Sequence, residues 1–124
     1  NLYWTEFVMS GEAPKLTSLK LGYDGLDNEN NKWFNKKLNS ITLPDSLPSL
    51  KEVNISNIGL TNETALDLQK SEKLESFRAT NTSNLTSVKF AEGVALNTLY
   101  LPNGLKSLEL VNAKLLDTLL TEYK

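Results

Sequence analysis

The chain contains no cysteine and no histidine. The first absence excludes disulfides and thiolate metal sites. The second removes the commonest general base and the commonest metal ligand. A chain without cysteine suits the cytosol, a virion or a cell surface equally, so the redox compartment stays open. No apolar run approaches the ~18 residues that span a bilayer, so no membrane insertion is expected. A basic stripe is lacking too. Lys and Arg number 13 against 15 Asp and Glu, with both signs interspersed and a net charge of -2. That balance argues against a general nucleic-acid binder. The sequence starts at Asn1, without Met and without a visible signal peptide, which points to a processed product or, in preference, a piece cut from a longer protein. Its 124 residues suffice for one domain with a modest core.

What is abundant is leucine at fixed offsets. A six-residue pattern, apolar at positions 1, 4 and 6, occurs at Leu16-Leu19-Leu21, Leu38-Ile41-Leu43, Leu50-Val53-Ile55 and Leu74-Phe77-Ala79. It returns at Leu85-Val88-Phe90, Leu96-Leu99-Leu101 and Leu105-Leu108-Leu110, with a weaker copy beginning at Leu116-Leu119. Positions 4 and 6 share one face of an extended strand, because side chains alternate with period two. Position 3 is Ser or Thr in seven of the eight copies, Glu52 being the exception. Position 5 is mostly polar. Apolar inward and hydroxyl or polar outward is how a half-exposed strand is written.

Copies 9 to 12 residues apart are too close for a strand, a helix and a return. They suit a short strand, a sharp corner and a second strand on another face. Alternate pairing puts the copies at Leu16, Leu50, Leu85 and Leu105 on one sheet, and those at Leu38, Leu74, Leu96 and Leu116 on the other. A single sheet with irregular spacers is the alternative. Either way the fold class is mainly β: a leucine-rich-repeat solenoid of short parallel strands, two-faced in the first version, with one short helix. Each copy offers three apolar side chains, worth ~1.5–3 kcal/mol each when fully buried. One coil alone cannot offset ~1–2 kcal/mol of ordering entropy per residue. Stacked coils share a core, and their ends need covers.

The domain reading is an N-terminal edge segment over 1–15 and the solenoid over 16–124. Two insertions interrupt it. Residues 22–37 read as an Asn-rich loop around Trp33 and Phe34. Residues 60–73, "LTNETALDLQKSEK", read as the helix, capped by Thr61 or Asn62 with Lys70 and Lys73 in its last turn. "NLYWTEFVM" reads as an edge strand with Tyr3 or Trp4 over the first coil. "AKLLDTLLTEYK" fits either a final strand or a closing helix.

"LNSITLPDSLPSL" (38–50) and "LNTLYLPNGLKSL" (96–108) resemble the leucine-rich repeats of the BspA-like class, whose hallmark is LxxIxIPxSVxxI. Leu43-Pro44-Asp45-Ser46-Leu47 and Leu101-Pro102-Asn103-Gly104-Leu105 stand at its corner. The class's AF…C helix segment is missing, so the coils are leaner. Residues 85–120 are also similar in style to repeat regions of large structural proteins of tailed bacteriophages. The resemblance implies a virion or cell-surface setting. It also implies partners that are proteins of a larger assembly, or a host surface molecule.

Few groups suggest chemistry. Asp24, Asp27 and Glu29 offer oxygens to calcium, but their spacing misses the EF-hand loop, and a solvated turn explains them. Glu63 and Asp67 lie four apart on the expected helix and offer the two carboxylates a glycosidase uses, yet a charged outer face accounts for them. Asn54, Asn62, Asn81 and Asn84 head Asn-x-Ser/Thr sequons, while Asn also suits the corners of a solenoid. No enzyme and no cofactor is therefore expected. The candidate contact surface is Lys20, Arg78, Lys89 and Tyr100, projecting from position 5, with Trp33 as an anchor or a loop plug. If the copies at Leu74 and Leu96 are neighbours, Arg78 and Tyr100 lie side by side. The expected function is a non-enzymatic, structural, protein-contacting module in a phage tail or other virion protein. The alternative is a bacterial adhesin segment that binds a host protein or glycan.

Overall fold

A computed structural model describes residues 4–22, 38–115 and 119–121; Leu115 and residues 119–121 are described by their backbone. Every strand pairing in it is parallel. Strands β2 (Ser18–Lys20), β4 (Glu52–Asn54), β6 (Ser76–Arg78), β9 (Thr98–Leu101) and β12 (Leu119–Thr121) form one five-stranded sheet in the order β12-β9-β6-β4-β2. Strands β5 (Gly59–Leu68), β7 (Ser83–Phe90) and β10 (Ser107–Glu109) form a second sheet, ordered β10-β7-β5. Two pairs complete the set: β1 (Glu6–Val8) with β3 (Ser40–Thr42), and β8 (Ala95–Leu96) with β11 (Lys114–Leu115). The Thr61 amide donates to the Asn39 carbonyl at 3.1 Å, which joins the β1–β3 pair to the second sheet.

The recurring leucines point inward. Leu19, Val53, Phe77 and Leu99 stand in register at position 4 of the first sheet, and all are buried. Leu66 and Val88 do the same in the second sheet. All six belong to one hydrophobic cluster, and Phe77 meets Phe90 edge-on across it with ring centroids 5.3 Å apart. Position 1 joins the same core: Leu38, Leu50, Leu74, Leu85 and Leu96 are each 0–1% exposed.

Two expectations are corrected. The stretch 60–73 contains a strand, and no helix occurs among the described residues. From Thr64 to Leu68 burial alternates with period two: Leu66 and Leu68 are buried while Ala65 and Asp67 are exposed. "ETALDL" is a further copy of the pattern whose position 1 is Glu63. The register of β5 shifts between Gly59 and Ala65, and Leu60, just upstream, is buried in the core instead. This overlooked copy moves the alternation by one step. The copies at Leu16, Leu50, Leu74, Leu96 and Leu116 therefore share the first sheet. Those at Leu85 and Leu105 join β5, and the copy at Leu38 pairs with β1.

"WTEFVM" is likewise a copy, with Trp4, Phe7 and Met9 at positions 1, 4 and 6, and it forms the edge strand expected there. Trp4 stacks on Phe7 at 6.3 Å. At the other end, residues 119–121 are a strand, which settles that choice against a closing helix. Tyr3 and residues 23–37, where a loop around Trp33 and Phe34 is expected, lie outside the described residues.

The corners explain the many Asn, Ser and Thr residues. Asn57, Asn81, Asn84 and Asn112 all have positive φ, between 50° and 62°, a backbone region that Asn tolerates better than most side chains. The Asn81 amide donates to Asn57 Oδ1 at 3.1 Å, linking the turns that follow the paired strands β6 and β4. Thr82 Oγ1 donates to the Ile55 carbonyl at 2.7 Å, and the Thr80 amide donates to Ser56 Oγ at 3.0 Å. Ser71 Oγ donates to the Leu47 carbonyl at 3.1 Å. Ser56, Ser71 and Thr82 are buried, so these bonds satisfy polar groups that burial would otherwise penalise. Gly22 is forced: a Cβ there would lie 2.1 Å from the Ser56 carbonyl oxygen.

Candidate contact surface

The outward side of the five-stranded sheet carries two rows of side chains. Position 3 supplies Ser18, Glu52, Ser76 and Thr98; position 5 supplies Lys20, Asn54, Arg78 and Tyr100. Each row crosses the strands at the ladder spacing of ~4.8 Å. An open groove of about 450 Å³ follows the position-3 row, with Lys51, Glu75 and Arg78 on its sides. Its floor is made of small hydroxyls because position 3 is Ser or Thr on three of those four strands.

Arg78 and Tyr100 stand in register on β6 and β9, and the guanidinium lies 5.2 Å from the ring centroid. Both side chains are half-buried. A stacked pair of this kind is worth ~0.5–1 kcal/mol at an exposed site. It therefore holds the two groups in place without contributing much to stability. Lys20 reaches Glu52 at 3.3 Å, with 60% and 38% of the two side chains exposed. A pair so exposed adds little to stability. Asn54 departs from its row. It is buried, and its Oδ1 accepts the Ser56 amide at 3.1 Å, so this sequon asparagine serves the corner.

The sequence candidates thus divide. Lys20, Arg78 and Tyr100 share the first sheet's outer face. Lys89 lies on the second sheet, in register between Asp67 and Glu109. Trp33 is outside the described residues, as are Asp24, Asp27 and Glu29. Glu63 and Asp67 sit on β5 and are engaged separately. Glu63 Oε1 accepts from Lys106 Nζ at 2.7 Å, and Asp67 Oδ1 accepts the Gln69 amide at 3.0 Å. The hydrogen bond and the charge of Lys106 hold the Glu63 carboxyl below its ordinary range. Among the remaining sequons, Asn81 and Asn84 direct their amides to Asn57 and to the Leu60 carbonyl. Comparison finds no matching family model, curated protein or solved structure.

Sequence reasoning missed Ser76, Thr98, Glu52 and Glu75 as a groove. It treated position 3 as a marker of facing, and the row becomes a continuous floor only once β4, β6 and β9 are known to be adjacent. Among the described residues no three His, Cys, Asp or Glu side chains are placed to hold a metal ion. No described helix is long and apolar enough to cross a membrane.

Proposed function

We propose that the chain is a leucine-rich-repeat solenoid, similar in style to the BspA-like class, and that it acts as a contact module within a larger protein assembly such as a phage tail or other virion. Its role is geometric and involves no catalytic step. Parallel coils hold Arg78, Tyr100 and the hydroxyl floor at fixed spacing, and a neighbouring subunit lays a polar, extended segment across them. The observation that carries this reading is the Arg78–Tyr100 pair beside the groove. Tyr and Arg are the side chains most often decisive at protein interfaces, and here they are prearranged on a rigid sheet.

The test uses antibodies raised against the chain and particles assembled with variant copies. Antibody decoration of intact particles is expected. A chain carrying R78A and Y100A together should load into particles at least tenfold less than wild type, while S87A, on the other sheet, loads normally. Absence of the chain from particles, or normal loading of the double variant, overturns the reading. A glycan-array signal that Y100A abolishes would assign the surface to an adhesin instead.

A further inference from the structure

We propose that Asn103 is a site of non-enzymatic deamidation, which converts this corner asparagine into a mixture of aspartate and isoaspartate. Asn103 and Gly104 form the one Asn-Gly pair in the sequence. The reaction needs the Gly104 amide nitrogen to reach Asn103 Cγ and close a succinimide ring. A side chain on the residue after the asparagine obstructs that approach, and glycine has none. Both residues are exposed, in the turn between β9 and β10. The Leu105 amide closes this turn on the Pro102 carbonyl at 3.3 Å. Neither the Gly104 amide nor the Asn103 side chain has a hydrogen-bond partner among the described residues. Exposed loop tips are where covalent change concentrates and is tolerated.

The fold gives Gly104 no other task. Gly22 is required by a close approach, and Gly93 has a φ of 73°. At Gly104 an added Cβ would meet nothing within 4 Å, and φ lies outside the left-handed region. The other corner asparagines differ from Asn103 on both counts. Asn81, Asn84 and Asn112 donate their side-chain amides to Asn57 Oδ1, the Leu60 carbonyl and Glu92 Oε1. Asn57, Asn81, Asn84 and Asn112 precede Ile58, Thr82, Leu85 and Ala113, each with a Cβ beside the nitrogen that would attack. The sister Leu-Pro corner carries Asp45 and Ser46 in these two places, both exposed. An aspartate at 103 therefore suits such a corner, and so does a side chain at 104.

The step balances with water as the co-reactant. The Gly104 nitrogen gives its proton to solvent and bonds to Asn103 Cγ. The bond from Cγ to the side-chain nitrogen breaks, and ammonia leaves. Water then adds to either ring carbonyl, and the ring C–N bond on that side breaks. Addition at Cγ gives aspartate; addition at the Asn103 main-chain carbonyl gives isoaspartate. Either product adds one negative charge to a chain of net charge -2. Isoaspartate also routes the main chain through Cβ. It thereby lengthens the link from Leu101 to Leu105, which carries the chain from the first sheet to the second.

This inference is independent of the Arg78–Tyr100 surface. The folded wild type is held in mildly alkaline buffer at physiological temperature, and its intact mass and proteolytic peptides are followed. The mass gain of NH2 replaced by OH should accumulate and map to Asn103, in two peptide forms of equal mass. G104A fits the corner without strain, so its melting temperature should not fall while its conversion slows at least tenfold. G104S, which copies the sister corner, should behave alike. A folded chain of constant mass, conversion only after unfolding in urea, conversion confined to other asparagines, or G104A and G104S converting as fast as wild type overturns the proposal.

Discussion

The ring of Phe77, on the five-stranded sheet, meets that of Phe90, on the three-stranded sheet, at an interplanar angle of 85°. The two sheets are thereby held face to face through side chains that are 0% and 2% exposed. Phe77→Ala should lower unfolding stability by about 3–5 kcal/mol, because it removes a buried ring and leaves a cavity between the sheets. Phe77→Leu should cost clearly less. Urea unfolding followed by far-UV circular dichroism measures both.

The strand at 59–68 has a direct test. Leu66 is 6% exposed and its neighbour Ala65 is exposed. Leu66→Ala should cost about 2–5 kcal/mol, whereas Ala65→Ser should stay within about 0.5 kcal/mol. A helix with Ala65 and Leu66 on a common apolar face would suffer from both. Thermal melts of the two variants decide the matter.

Thr82 closes a corner. Its hydroxyl serves the Ile55 carbonyl, 27 residues away in sequence. Thr82→Val keeps the shape and removes the donor, so a buried acceptor loses its partner at a cost of about 1–3 kcal/mol. Thr82→Ser should retain most of the bond. Hydrogen exchange at the amides of β4 and β6 should quicken in the valine variant alone.

Glu63 and Lys106 make a pH-dependent contact on the second sheet. The folded carboxyl titrates below its unfolded value, so its stabilising effect is present above the unfolded pKa and is lost as pH falls through the folded one. A carbon-detected NMR titration should place Glu63 below the ordinary glutamate range. Lys106→Met should return it there, and high salt should narrow the difference.

The inward facing of the leucines was legible because period two and a fixed offset leave little freedom. Leu19, Val53, Phe77, Val88 and Leu99 are buried as their positions imply. The adjacency of Arg78 and Tyr100 was legible for the same reason, once their copies were taken as neighbours. The phase of the alternation was not. It depended on one copy whose first position is Glu63, a charged residue tied to Lys106 at the surface while Leu60 fills the core. Capping residues at Thr61 and Asn62 then favoured a helix. Local propensity supported that helix, and pairing with β7 over the length of β5 overrode it. The repeat at Trp4-Phe7-Met9 is hidden within the expected edge strand in a similar way, because Glu6 stands where the other copies mostly carry a hydroxyl.

The rungs of the five-stranded sheet shorten along the chain, with successive position-4 partners 34, 24, 22 and 20 residues apart. Bringing ladder partners together from the disordered state is an entropic toll that rises with the logarithm of the intervening length, about 0.5 kcal/mol more for the longest rung than for the shortest. The shortest closures lie nearest the C-terminus, so loop entropy favours the β9–β12 pairing over the β2–β4 pairing by that small margin. The first rung of this sheet therefore loses more closure entropy than any other, because the widest stretch of sequence separates its two partners.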